Sequence, residues 1–192
     1  MLDHYVKMLD AADLSALTDF PPDIEVFAGY IGGEAQHVWA ISDWQRVDNY
    51  KKLPIYVNRT GTTGLHDGWE CLMMLYNLKV PLGTAVGLDT ELRQSNDDHY
   101  YDDIYAVLHY FGYIVWKYGS QSWLFNLQAM DGYWEASPQV SGNPNIPSIP
   151  SASNLRAYQY FWGNLANPNV PYDLSAIHRM AYSHRLSADW LR

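Results

Sequence analysis

The chain is short of cysteine, of positive charge and of long apolar runs. Cys71 is the single cysteine in 192 residues, so no disulfide framework can hold the fold. It falls inside an apolar helical pattern, which predicts a buried thiol. Lys and Arg number 12 against 21 Asp and Glu, a formal net charge of -9. That deficit, with no Lys/Arg-rich stretch, argues against nucleic acid as a partner. No uninterrupted apolar run approaches the roughly 20 residues of a membrane span, so no membrane partner is expected. The first ten residues, MLDHYVKMLD, lack a basic segment followed by an apolar one, so no Sec-type signal is expected. There is no G-x-S-x-G nucleophile elbow, and the Gly-rich YIGGE lacks the G-K-[ST] of a phosphate loop. Seven histidines show no H-x-x-x-H pair with a carboxylate and no cysteine partners, so neither a metal nor another cofactor is expected.

What is present is a globular composition, with 48% hydrophobic and 17% charged residues. The length suits one domain with a real core. Aromatics reach 15%, with 16 Tyr and 8 Trp. Most of these suit a core, and their polar edges also suit a sugar-binding surface.

Strand-like and helix-like segments alternate. The strand candidates are Tyr5–Leu9, Ile24–Ile31, Leu53–Asn58, Thr84–Asp89, Tyr113–Tyr118, Gly132–Ala136, Ala157–Trp162 and a short one at Tyr172–Leu174. Between them, Trp69, Leu72, Met73 and Tyr76 share one helical face, as do Tyr101, Ile104, Tyr105 and Leu108. Asp67 with Glu70, and Ser42 with Gln45, have capping-box spacing, and Gly112 stands where a C-terminal cap belongs. Eight strands alternating with helices predict an α/β fold, a single irregular and shortened (β/α)8 TIM-type barrel over residues 1–192. Residues 137–154 are too rich in Pro, Ser and Asn for a helix and read as a long functional loop. Residues 174–192 read as a C-terminal helix, with Trp190 and Leu191 as candidate anchors for a partner.

The chemistry concentrates at GLDTE, Gly87 to Glu91. A two-residue spacing on a strand puts Asp89 and Glu91 on one face, with Cα atoms about 6.6 Å apart. Two acids that close titrate as a pair. An acid for the leaving oxygen and a negative charge beside an oxocarbenium-like transition state are what cleaving a glycosidic bond requires. A strand end carrying two solvated acids would show the same letters. Ala85 and Gly87 share the acids' face while Val86 and Leu88 face away, as expected of a barrel interior opening into an active-site mouth.

In order along the chain, YIGG (Tyr30–Gly33), LPIYV (Leu53–Val57), DG (Asp67, Gly68), VPLGTAVGLDTE (Val80–Glu91), QY (Gln159, Tyr160) and a late DL (Asp173, Leu174) resemble a glycoside-hydrolase-like domain of unknown function. That domain occurs in actinobacteria and their phages and is a relative of the family 25 lysozymes. The resemblance implies an irregular (β/α) barrel with acids at its mouth. It assigns the general acid to Glu91, the acid beside it to Asp89, the late acid to Asp173 and the acid ending the first strand to Asp10, with Asp13 competing. It implies Tyr30, Trp134 and Tyr160 as aromatics that stack on sugar faces, and Asp67 as a further substrate-binding residue. The helix exit NLKVP lacks the family's usual glycine. The implied activity is cleavage of peptidoglycan glycan strands, in the manner of a muramidase or phage lysin. The alternative is a non-catalytic virion or cell-surface component that uses the barrel for glycan binding or assembly. On either reading the protein is expected in the cytoplasm of the producing cell, released by lysis or carried on a virion. A homo-oligomer or virion contact through the C-terminal helix or residues 137–154 is a further expectation.

Overall fold

The structure is a computed structural model that describes residues 5–91, 99–120, 124, 129–136, 155–163, 170–187 and 190. The eight expected strands form a closed barrel in chain order: β1 (Tyr5–Asp10), β2 (Ile24–Gly33), β3 (Lys51–Val57), β4 (Ala85–Asp89), β5 (Ile114–Ser120), β6 (Gly132–Ala136), β7 (Leu155–Trp162) and β8 (Asp173–His178). The described helices are α1 (Ile41–Arg46), α2 (Gly64–Asn77), α3 (Tyr100–Tyr110) and α4 (Arg179–Arg185). Residues 137–154 and Leu191 lie outside the described residues.

Period-two alternation divides the apolar residues between two layers. Val6 and Met8, Val26 and Ala28, Leu53 and Ile55, Trp116 and Trp134 point inward and fill the barrel. Leu9, Phe27, Tyr56, Val86, Leu88 and Val115 point outward and pack under the helices. Cys71 is buried and free, as the apolar pattern around it predicts.

Three expectations require correction. First, the barrel is not all parallel. Strands β1 to β7 run parallel, but β8 pairs antiparallel with both β7 and β1. Only ten residues, 163–172, separate β7 from β8, whereas a parallel return needs a crossover of about a dozen or more. Second, residues 174–192 are not one helix. Asp173–His178 is the last strand, and the helix covers only Arg179–Arg185. Trp190 is no free anchor: it is 0% exposed, with its ring 4.8 Å from that of Trp44.

Third, of the apolar face assigned to α2 only Leu72 packs against the core, and the rest is on the outer side. Trp69, Met73 and Tyr76 are exposed, while Gly64, Asp67, Gly68, Cys71 and Leu75 are buried. The glycines explain this. A Cβ on Gly64 would overlap the Tyr100 carbonyl oxygen, and one on Gly68 would lie 3.0 Å from Val107 Cβ. Bare backbone at these two positions lets α3 press against α2. On α3 the expected face is the buried one at Tyr101, Ile104 and Leu108.

The caps also differ in part. Thr63 caps α2, accepting from the His66 amide, so Asp67 lies inside the first turn and not at the cap. Helix α1 starts at Ile41, and the Asp43 carboxylate accepts from the Ala40 amide at 2.8 Å; Ser42 and Gln45 form no box. Gly112 does follow the C-cap of α3, at φ 88°. The amides of Gly112 and Tyr113 donate to the His109 and Leu108 carbonyls, closing a Schellman turn. Helix α2 ends in the same way, but Lys79, at φ 51°, occupies the left-handed position.

Candidate active site

At one end of the barrel the inward positions change from apolar to polar. Asp10 ends β1, Tyr30 lies near the end of β2, Asp89 ends β4, Tyr118 faces in from β5, Gln159 faces in from β7 and Asp173 begins β8. The reversal of β8 is what brings Asp173 to the mouth, since it pairs directly with Asp10 across the antiparallel ladder. Such partners have Cα atoms about 4.5–5.5 Å apart. On the other side, Val57 pairs with Asp89, and Asp89 with Tyr118.

The acids are held differently. Asp89 Oδ1 accepts the Glu91 amide at 2.9 Å, a turn that ends β4 and places Glu91 beyond the strand, exposed at the rim. The two acids therefore share a turn and not a strand face. Asp173 accepts from Gln159 Nε2 at 2.9 Å and from the Gly163 amide at 3.0 Å. Gln159 Oε1 in turn accepts the Tyr118 hydroxyl at 2.6 Å. Asp10 is buried, and its Oδ1 takes no hydrogen bond among the described residues.

All of these carboxyls hold protons more firmly than free ones. Burial, and then repulsion from Asp173, Asp89 and Glu91, pushes Asp10 well above the usual range. Burial lifts Asp89 to about 7, with the Glu91 charge adding and the Glu91 amide opposing. Burial lifts Asp173 to about 6 against the pull of its hydrogen bonds to Gly163 and Gln159, with the Glu91 charge adding. Glu91 is raised by loss of water alone, and the repulsion between the two acids acts on Asp89.

A groove opens over these groups in two lobes that share Ala12 and Tyr30. One, of about 250 Å³, runs along Tyr30, Glu34, His37, Val57, Asp89 and Glu91. The other, of about 80 Å³, is bounded by Asp10, Tyr30, Pro171, Tyr172 and Asp173.

Several solved structures share this architecture. A protein from B. stearothermophilus described as uncharacterized has a TM-score of 0.72 at 16% identity, over 95% of this chain and 100% of its own. A family 25 glycosyl hydrolase from Bacillus anthracis has a TM-score of 0.63 at 12% identity, over 96% and 95%. The catalytic domain of endolysin ply40, from bacteriophage P40 of Listeria monocytogenes, has a TM-score of 0.62 at 17% identity, over 94% and 97%. The chain has the barrel fold of the family 25 glycosyl hydrolases. No protein-family model matches the sequence, and no curated protein matches it.

Within this barrel, Asp10, Asp89, Glu91, Asp173 and Tyr30 come together at the mouth. Asp13, the competitor of Asp10, is half-buried after the end of β1, where it accepts the Ser15 amide in a short 3-10 turn and lies 3.8 Å from His37 Nε2. Trp134 lies buried inside the barrel, donating to Ser175 Oγ at 2.9 Å with its ring 4.6 Å from that of Tyr118. Tyr160 is 2% exposed and packs in the outer layer, because Ala157 and Gln159 take the inward positions of β7. Neither ring presents a face to the groove. Asp67 is buried on α2, where it accepts the Tyr100 hydroxyl and the Arg59 amide and braces the chain after β3. His66, Asp67 and Glu70 bring three ligand-type atoms within 4.8 Å of one another. The Glu70 oxygens already accept from Arg59 at 2.5 Å and from the Tyr56 hydroxyl at 2.6 Å, so the group forms a hydrogen-bonded brace. Among the described residues no helix is long and apolar enough to cross a membrane.

Tyr118, Gln159, Glu34 and His37 also line the mouth or its groove, with no role evident from the sequence. The alternation of β5 and β7 could have placed the first two inside the barrel. The loop after β2 that brings Glu34 and His37 to the groove has no comparable periodic signal.

Proposed function

We propose that the protein is a glycosidase acting on peptidoglycan glycan strands, of the muramidase type. The observation that supports this best is the set of four carboxyls at one barrel mouth, each made harder to ionise, beneath an open groove. Glu91 stands outermost, where a bound glycan can reach it, and its raised pKa suits a proton donor to the glycosidic oxygen. Asp89 lies one turn below and, once ionised, stabilises positive charge on the sugar ring. Asp10 and Asp173 face each other across the smaller lobe, where they can orient water or an N-acetyl group. Tyr30, which borders both lobes, and Tyr172, at the smaller one, are the aromatics available to a sugar face. The surroundings that fit are phage lysis or a virion at the cell wall.

The test is release of reducing ends from purified cell walls by the wild-type protein and by Glu91→Gln. The wild type should release muramic acid ends and the variant should not. Binding to walls without release of ends in either protein would replace this reading with that of a glycan-binding virion or surface component.

A further inference from the structure

The outer surface of α2 is apolar where a helix on an acidic protein would ordinarily be charged. Leu65, Trp69, Met73 and Tyr76 recur at helical spacing and are 52%, 51%, 53% and 75% exposed. The stripe continues onto the end of α3. The ring of Phe111 lies edge-on to Trp69 at 5.4 Å, and Tyr110, 83% exposed, lies 5.2 Å from Phe111. The glycine seam between the two helices produces this surface. Gly64 and Gly68 face inward against α3, which leaves the large side chains on the outside.

Charge is withheld from the same face. Between Gly64 and Leu78 the only charged residues are Asp67 and Glu70. Asp67 is buried, and Glu70 turns inward to Arg59 and Tyr56. The chain has a net charge of -9, so two copies repel over most of their surfaces. On this face they can meet without apposing like charges.

We infer that this face binds a second copy of the chain, forming a two-fold dimer in which α2 packs antiparallel against its counterpart. From Leu65 to Tyr76 the stripe is about 16 Å long, and a two-fold axis through its middle lays it on itself. A whole large side chain buries about 150–250 Å². Covering these six at their observed exposures removes roughly 500–900 Å² per copy, a range that includes the share of each partner in a standard stable interface. An uncovered patch of that size lies at or above the upper end of the roughly 300–600 Å² typical of the largest on a soluble monomer. The interface lies on the barrel's flank, so both grooves stay open, and the inference is independent of the proposed reaction.

The experiment is sedimentation velocity on the whole protein from about 1 to 100 μM, in about 0.1 and 0.5 M salt. The wild type should sediment at twice the 22.0 kDa chain mass and remain dimeric at the higher salt. Met73→Asp and Tyr76→Asp should sediment as monomers with an unchanged circular dichroism spectrum, since both side chains are more than half exposed and leave the core untouched. Each should weaken dimerisation at least about 100-fold, as expected for an interface core that must desolvate a charge. A wild type that is monomeric at 100 μM would overturn the inference, as would a dimer that survives both substitutions.

Discussion

The Glu91 amide donates to the Asp89 carboxylate at 2.9 Å, so the outer acid of the mouth is positioned by the backbone bond that also tempers the inner one. The two groups are one mechanical unit with two chemical settings. Glu91 is at the rim and Asp89 is buried, and a change in either should be felt by the other.

Glu91→Gln should therefore separate chemistry from architecture. The amide keeps the shape of the side chain but has no proton to donate, and general acid catalysis typically supplies about 10²–10⁴-fold. Wall-degrading activity should fall by that order while the melting temperature holds. Asp89→Asn should also lower activity, and the substituted carbonyl oxygen can still receive the Glu91 amide. An unaltered rate in Glu91→Gln would place the proton donor elsewhere.

The mouth should also cost stability near neutral pH. In the fold, Asp10, Asp89 and Asp173 keep protons that the unfolded chain gives up. Their contribution is fully present below about pH 4, where both states are protonated, and is lost as pH rises through about 6 for Asp173 and about 7 for Asp89. Asp10→Asn removes the ionisation that favours the unfolded chain, without changing shape. It should therefore raise stability and the melting temperature at pH 7. At pH 4 the gain should vanish. Calorimetry at the two pH values checks it, and a lower melting temperature at pH 7 would contradict it.

Tyr118→Phe should loosen the late acid without touching it. The buried Gln159 carbonyl loses its hydroxyl donor, at a cost of about 1–3 kcal/mol, and the Gln159 amide is then freer to leave Asp173. Since that amide lowers the Asp173 pKa, the carboxyl should titrate higher in the variant. Carbon-detected NMR titration would show an upward shift, whereas an unmoved Asp173 would mean that Gln159 is held by other contacts.

Lys79→Gly should stabilise the end of α2. Lys79 holds φ at 51°, a region that costs a residue with a Cβ about 1–2 kcal/mol and glycine nothing. Glycine's greater freedom in the unfolded chain takes back part of that. The net gain should be about 0.5–1 kcal/mol in chemical denaturation, and a loss would show that the lysine side chain does more than occupy the turn.

The barrel was legible because eight short apolar segments are set apart by helical patterns and turn residues, and GLD showed where small inner residues give way to an acid. The direction of β8 was not in that pattern, since an apolar segment reads the same both ways. It was present in the ten residues between β7 and β8, too few for a parallel return. The orientation of α2 was hidden because its buried face is Gly64, Gly68 and Cys71, which give little hydrophobic signal, while its exposed face is Trp69, Met73 and Tyr76. Trp134 and Tyr160 were read as sugar platforms from the family resemblance. Phase on the strand decides against Tyr160, which points outward. Burial decides against Trp134, which is 1% exposed, with its indole N–H donating to Ser175 and its ring against Tyr118.

The reversed last strand also settles where the chain can be extended. Strand β8 descends from the mouth, so His178 finishes beside Tyr5, the first residue of β1, and Ser187 bridges to Lys52 near the start of β3. The described beginning and end of the chain thus share the floor of the barrel, diametrically away from the groove. A reporter, surface tether or wall-anchoring module joined next to Tyr5 or Ser187 would hang below the groove and leave a long polymer free to thread across it.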